Sequence, residues 1–300
     1  MIKRIELSTL ARQVFGNRFQ PDLLGCLANT QLELELIPNL KAFVEECESE
    51  TLNFEVAGAQ RAQKWEWGWA GGGVISSAED APEDNIPYYF AKNTHLRLRG
   101  DVFVDHSKYS EFLMLRSLQA FVFGCQNYFP FDQVDAVVEY GCGTGHNIEF
   151  LKKILPSGIN WGGCDWASSA IDRIARKEIV SRELAMQVDY FKPDTFWAPS
   201  RPFIAFTNAS LEQSGSKYKL FMDFLIDNPM CSGAIHIEPV RELLSKSMLD
   251  QNSFKYAEQR GYLTGFLSFL KSRGVKILES RDFEVGSKYL SGYQVVIWSS

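Results

Sequence analysis

The sequence predicts an α/β fold: an open, mostly parallel sheet of seven strands whose last strand runs antiparallel, plus a largely helical N-terminal extension. Three observations predict it. From residue 131 onward, short β-rich runs alternate with helix-spaced runs. The first of these β-rich runs stops at a glycine cluster, Gly141-Cys142-Gly143-Thr144-Gly145, that opens a helix. The last two β-rich runs are joined only by the stretch 284–293, which is too short for a parallel crossover and fits an antiparallel return.

Residues 1–130 form the extension, expected to serve as lid and substrate-recognition region. Leu32 to Cys47 mixes Leu, Ile, Phe and Val with Glu and Lys at helical spacing. Trp65, Trp67 and Trp69 run into Gly71-Gly72-Gly73 and read as a loop or strand end, followed by a polar surface loop over 76–85. Val102 to Val104 is a short strand, and Ser110 to Phe123 a helix leading into the second region.

The domain over 131–300 is more regular. Strands are expected at 134–140, 160–164, 184–188, 203–207, 234–237, 275–283 and 294–298. Helices are expected at 146–155, 168–179 (capped by Ser168 or Ser169), 217–226 and 254–271.

Composition bounds the function. The chain has 300 residues, 45% of them hydrophobic, which is ample for a large core. No run is long or apolar enough to span a bilayer, and the N-terminus lacks the apolar core and cleavage site of a signal peptide. The net charge is −6 and the Lys and Arg residues are scattered, which argues against a phosphate backbone as partner. The six cysteines form no Cys-x-x-Cys pair, so free thiols in a cytoplasmic protein are the simplest reading, and no metal is expected.

A strand that ends at glycines before a helix exposes backbone N–H groups and the positive end of the helix dipole. Glycines also allow a ligand to approach the backbone closely. Such a turn suits a nucleoside-bearing cofactor at the carboxyl edge of the sheet. Nicotinamide enzymes use Gly-x-Gly-x-x-Gly, whereas here the third glycine comes one position early. The stretch Val137-Val138-Glu139-Tyr140-Gly141-Cys142-Gly143-Thr144-Gly145 resembles motif I of the class I S-adenosylmethionine (SAM) dependent methyltransferases. Asp165, 20 residues beyond Gly145 at the end of the second strand, stands where that family places an acid.

The resemblance covers residues 131–300 and implies a Rossmann-like sheet with SAM as cofactor. It implies that Gly141, Cys142, Gly143 and Gly145 cradle the cofactor and that Asp165 takes the ribose hydroxyls. Glu139, preceding the turn, either contacts the cofactor or caps the turn. Asp189 and Tyr190, after the third strand, are expected near adenine, with Trp166 as a second candidate ring contact. Asn208 or Ser210, after the fourth strand, lines the sulfonium region.

Catalytic candidates follow the fourth and fifth strands. Glu212 either deprotonates an acceptor or only favours a helix start. His236, whose ordinary pKa lies near neutrality, is either a general base or a buried structural histidine. Glu238 ends the fifth strand and is a candidate site carboxylate. Arg97, Arg99 and Tyr109 are candidates for the methionine carboxylate of SAM. The expected reaction is methyl transfer to oxygen or nitrogen of a small molecule such as a sugar or natural product. A methyltransferase-like scaffold and a nicotinamide oxidoreductase are the alternatives. The expected partner is the small-molecule substrate, with no nucleic acid and no membrane. A homodimer is compatible with the sequence, which does not fix the oligomeric state.

Overall fold

The computed structural model describes residues 2–6, 9, 31–72, 93–106, 128–129, 134–155 and 158–300. The main sheet contains β5 (Ala136–Tyr140), β6 (Asn160–Asp165), β7 (Ala185–Gln187), β8 (Phe203–Asn208), β9 (Cys231–Glu238), β10 (Lys276–Asp282) and β12 (Gln294–Ser299). Their spatial order is β10-β12-β9-β8-β5-β6-β7. β5 pairs in parallel with β6 and β8, and β12 is antiparallel to both β9 and β10, as the short return predicts. Successive strands run outward one way through β6 and β7, and the other way through β8 and β9. The order therefore reverses between β5 and β8, and open α/β sheets bind ligands at the carboxyl ends of the strands beside such a reversal.

Both faces of the sheet are covered, so its central strands are apolar on both sides. Val137, Ile204 and Ile235 face one core with Ile148 and Ile174. Val138, Ala205 and Ala234 face the other with Phe221, Phe266 and Trp298.

Among the described residues, the N-terminal extension is mixed rather than largely helical. It contributes β1 (Ile2–Glu6), β2 (Gln31–Leu36), β3 (Thr94–Leu98) and β4 (Asp101–Asp105), with helices α1 (Leu40–Thr51) and α2 (Ala62–Trp67). Gln31-Leu32-Glu33-Leu34-Glu35-Leu36 alternates with period two and buries Leu32 and Leu34, so a strand precedes the helix within the stretch expected to be all helix. The antiparallel order is β1-β2-β4-β3-β11, where β11 (Val285–Gly286) comes from the C-terminal part of the chain. The tryptophans lie on α2 and a following π-turn, Gly68–Gly72, not in a loop or strand end.

The later helices are α3 (His146–Ile154), α4 (Ser168–Arg176), α5 (Tyr218–Asp227), α6 (Met248–Arg260) and α7 (Phe266–Ser272). The single long helix expected at 254–271 is two helices, because Gly261 ends α6 in the left-handed conformation at φ 67°. Neither Ser168 nor Ser169 caps α4 with its side chain. Glu66 of α2 does so instead, its Oε1 accepting the Ser169 N–H at 3.1 Å and the Ser168 hydroxyl at 3.3 Å. The expected helix over 110–123, the surface loop over 76–85 and Tyr109 lie outside the described residues.

Candidate active site

A cavity of about 560 Å³ lies at the carboxyl ends of β5 and β8. One wall contains Gly141, Cys142, Gly143, Asp165, Trp166, Val188, Tyr190, Phe191, Asn208 and Ser210. The lining also contains Arg61, Trp65, Trp69, Glu212, Gln213, Tyr256, Arg260 and Tyr262.

The bend after β5 is stitched to β6. The N–H groups of Gly141 and Cys142 both donate to the Cys164 carbonyl, at 2.7 and 2.9 Å. Gly143 N–H donates to Asp165 Oδ2 at 2.9 Å, and Ala167 N–H to Oδ1 at 2.9 Å. Asp165 therefore faces the bend as expected. The Trp166 N–H also bonds this carboxylate, so three backbone N–H groups hold it in place. Burial raises the Asp165 carboxyl to about 6, against the pull of its backbone N–H donors.

The bend is not bare. Gly141 has φ 79°, and a Cβ there would lie 2.2 Å from Cβ of Ser210. Ser210 Oγ donates to the Tyr140 carbonyl at 2.8 Å. Gly143 has φ 53°, and a Cβ there would lie 3.0 Å from Trp69. Two of the protein's own side chains thus rest on the glycines, while the cavity opens beside them with Asp165 in its wall.

Several expected contacts fall elsewhere. Gly145 does not line the cavity; a Cβ there would lie 2.8 Å from Ile174, so this glycine serves the packing of α3 on α4. Glu139 is buried behind the bend and accepts from Asn147 Nδ2 at 2.7 Å, which holds a residue that does line the cavity. Asp189 closes its own loop, accepting the Phe191 N–H at 2.9 Å and pairing with Lys192 at 3.3 Å. The third-strand loop supplies Val188, Tyr190 and Phe191 instead, with Trp166 tilted against Phe191 at 5.9 Å.

The catalytic candidates separate clearly. His236 is fully buried outside the cavity lining, accepting from Trp298 Nε1 at 3.0 Å and bonded to Thr207 Oγ1 at 2.9 Å. Burial lowers its pKa to about 3, so it is a neutral structural histidine and not a general base. Glu238 also lies behind the wall, accepting the backbone N–H groups of Ser210, Leu211 and Glu212 at 3.1–3.3 Å. Burial and the neighbouring Glu212 push its pKa up, so it shapes the loop after β8 rather than touching a ligand. Only Glu212 of the three lines the cavity. Gln213 Nε2 donates to its Oε1 at 2.7 Å, and its carboxylate also shares a hydrogen bond with the buried Glu238 carboxyl.

Arg97 is buried away from the cavity and bonds Asn252, Ser253 and the Leu249 carbonyl. Arg99 pairs with Glu284 at 3.6 Å outside the cavity lining. Among the described residues no group of three His, Cys, Asp or Glu could hold a metal, and no helix is long and apolar enough to cross a membrane. Sequence reasoning missed Arg61, Arg260 and Tyr262, which no local motif marks.

No family model and no curated protein matches this chain. Among solved structures, the [4+2]-cyclase SpnF is similar over 82% of this chain and 97% of its own, at 14% identity and TM-score 0.49. Human N-acetylserotonin methyltransferase in complex with SAM matches 63% of this chain at 14% identity and TM-score 0.42. The N-methyltransferase NodS from Bradyrhizobium japonicum WM9 matches 62% of this chain and 87% of its own, at 10% identity and TM-score 0.43. The chain spans 54% of the human enzyme and 53% of the CurJ carbon methyltransferase. These scores fall below 0.5, so the site is read from its own geometry. Its strand order, antiparallel last strand, glycine bend and facing acid agree with the layout that the sequence resemblance implies.

Proposed function

We propose that this chain is a SAM-dependent methyltransferase that methylates an oxygen or nitrogen of a small molecule. The observation that carries the reading is Asp165: a buried carboxylate, turned to the glycine bend, in the wall of a cavity. In this reading Asp165 takes the two ribose hydroxyls, and Trp166, Val188 and Phe191 flank the adenine. Gly141, Gly143 and Asn208 border the amino-acid portion.

Bound SAM supplies a methyl group on a positively charged sulfur, already activated for transfer. The protein's part is alignment of the acceptor and exclusion of water. Trp65 and Trp69, stacked at 5.5 Å, cover the bend from the extension and exclude water. Glu212 takes the proton that the O–H or N–H acceptor loses as its bond to methyl forms. Its place in the cavity lining suits that role.

Calorimetry with SAM, its demethylated product S-adenosylhomocysteine (SAH) and NAD tests the reading. SAM and SAH are expected to bind and NAD not. Binding of NAD alone makes the chain an oxidoreductase, and binding of none makes it a scaffold. Mass spectrometry of a cell extract incubated with labelled SAM then separates substrate classes: label in a small metabolite supports the proposal, and label only in protein or RNA overturns the acceptor class.

A further inference from the structure

In the lining of the same cavity, two arginines converge from distant parts of the chain. Arg61 closes the 3₁₀ turn Ala59–Arg61, and Arg260 is the last residue of α6. They are only 6% and 5% exposed, yet both line the cavity or its rim. Their hydrogen-bond partners are neutral. Arg61 Nη1 donates to Gln213 Oε1, Arg260 Nη1 to the Glu55 carbonyl, and Arg260 Nε to the Tyr262 hydroxyl at 3.3 Å. Arg61 Nε is buried with no hydrogen bond, and its nearest carboxylate, Glu55 at 3.7 Å, has a 61% exposed side chain. Neither Nη2 has a hydrogen-bond partner among the described residues.

Two buried like charges disfavour one another, and burial together with Arg260 lowers the Arg61 pKa from its ordinary value. The lining carboxylates are Asp165, committed to the cofactor in the reading above, and Glu212. The remaining lining cation, Lys288, is satisfied by Glu46 and Glu50 at 2.8 Å each. Glu212 offsets part of this charge, and the Arg260 pKa is raised despite its burial, by Tyr262, Tyr256 and Glu212. The arginine pair is nonetheless the part of the wall with unbonded donors, and a planar fork suits an oxyanion.

Flat rings flank this pair. The Arg61 guanidinium lies 5.2 Å over the Trp65 ring, which stacks on Trp69. On the other side Tyr256 stacks on Tyr289 at 5.2 Å and 24°. Aromatic walls of this kind receive planar rings.

We infer that the methyl acceptor is a planar aromatic molecule bearing an anionic carboxylate or phosphate, its oxyanion seated on Arg61 and Arg260. Its reacting hydroxyl or amine then faces Glu212, a short step along the wall through Gln213. This inference rests on the proposed methyltransferase reading for the word acceptor, but not for the anion site itself.

The test is calorimetric titration of the SAH-saturated protein with 2-naphthoate, 2-naphthyl phosphate and the neutral 2-naphthamide. At least one anionic probe is expected to bind about tenfold tighter than the amide. R61Q and R260Q are each expected to erase most of that advantage, whereas R61K, which keeps the charge, retains more of it. Thermal unfolding checks that the variants fold, and the wild-type comparison decides the question if they do not. Equal affinity for acid and amide, or no binding of either acid, overturns the inference. The two acids distinguish carboxylate from phosphate. A separate titration with SAH alone keeps the two readings apart: an anion preference without SAH binding sinks the methyltransferase reading and leaves the anion site standing.

Discussion

If Asp165 grips SAM as proposed, protonating it should weaken cofactor binding, and its raised pKa says where on the pH scale this happens. In the proposed reading its carboxylate accepts two ribose O–H donors, which only the ionised form does with both oxygens. Burial puts its pKa at about 6 in the empty site. A proton then competes with the ligand, and the apparent Kd is multiplied by one plus ten to the power (pKa − pH). Between about pH 7.5 and pH 5 the factor grows from near one to about eleven, or about 1.4 kcal/mol. SAH is a suitable probe because its own amino and carboxyl groups titrate outside this window. The stability of the empty protein should move the opposite way. The folded pKa lies above the ordinary value of 3.8, so this group's contribution is complete below about pH 4 and is lost as pH rises through about 6. Calorimetry with SAH at stepped pH measures the first effect. D165N should bind weakly and without the slope, which isolates Asp165 from Asp282, raised to about 6 elsewhere in the fold. A flat wild-type profile, or a D165N variant that keeps the wild-type slope, refutes the assignment of Asp165 as the ribose carboxylate.

Two further outcomes follow from the same geometry. G141A adds a Cβ 2.2 Å from Ser210 at a backbone φ of 79°, so urea denaturation should report a loss of about 2–4 kcal/mol together with weakened SAH binding; a loss below about 0.5 kcal/mol would mean the bend relaxes freely. H236A strands the Trp298 indole N–H and the Thr207 hydroxyl, and should cost about 2–4 kcal/mol while leaving SAH affinity unchanged. Because the folded pKa of His236 is lowered to about 3, its contribution is present above the ordinary 6.5 and fades as pH falls, so H236A should also flatten the acid limb of stability. Loss of SAH binding in a folded H236A protein would return that histidine to the site.

The features legible in the sequence are those in which cause and effect lie close along the chain. A β-rich run ending at Gly141 predicts strand, bend and helix because the glycines allow backbone angles that other residues avoid. Asp165 was legible because it ends the next strand, which pairs with β5. Asp189 misled because an Asp followed by a short loop closes that loop by itself, whatever ligand lies nearby. His236 and Glu238 share one face of β9, as alternation requires, but alternation does not say that this face meets Trp298 and the loop after β8 instead of the cavity. Arg61 and Arg260 were invisible for a different reason. They are about 200 residues apart in sequence, and only the packing of the extension against α6 makes them neighbours.

That packing also explains why the cofactor acid is so dry. Glu66 on α2 caps α4, the helix that follows Asp165, and three residues later Trp69 rests on Gly143. One short helix of the extension therefore covers both ends of the wall that Asp165 and the bend form. Arg173 of α4 ties the other side of the contact, donating to the Trp69 carbonyl at 3.4 Å. Desolvation is the largest cause of the raised Asp165 pKa, and the charge of Glu66 adds to it. Covering this wall makes ionisation of Asp165 more costly, and in the proposed reading two ribose hydroxyls restore the hydrogen bonds that water no longer supplies. The chain commits further to this closed arrangement by returning β11 to the sheet of the extension, where Val285 pairs with Leu98. In the proposed reading, water exclusion and cofactor capture are then one property of the fold: the contacts that would shield methyl transfer from water are the same ones that dry the Asp165 carboxylate.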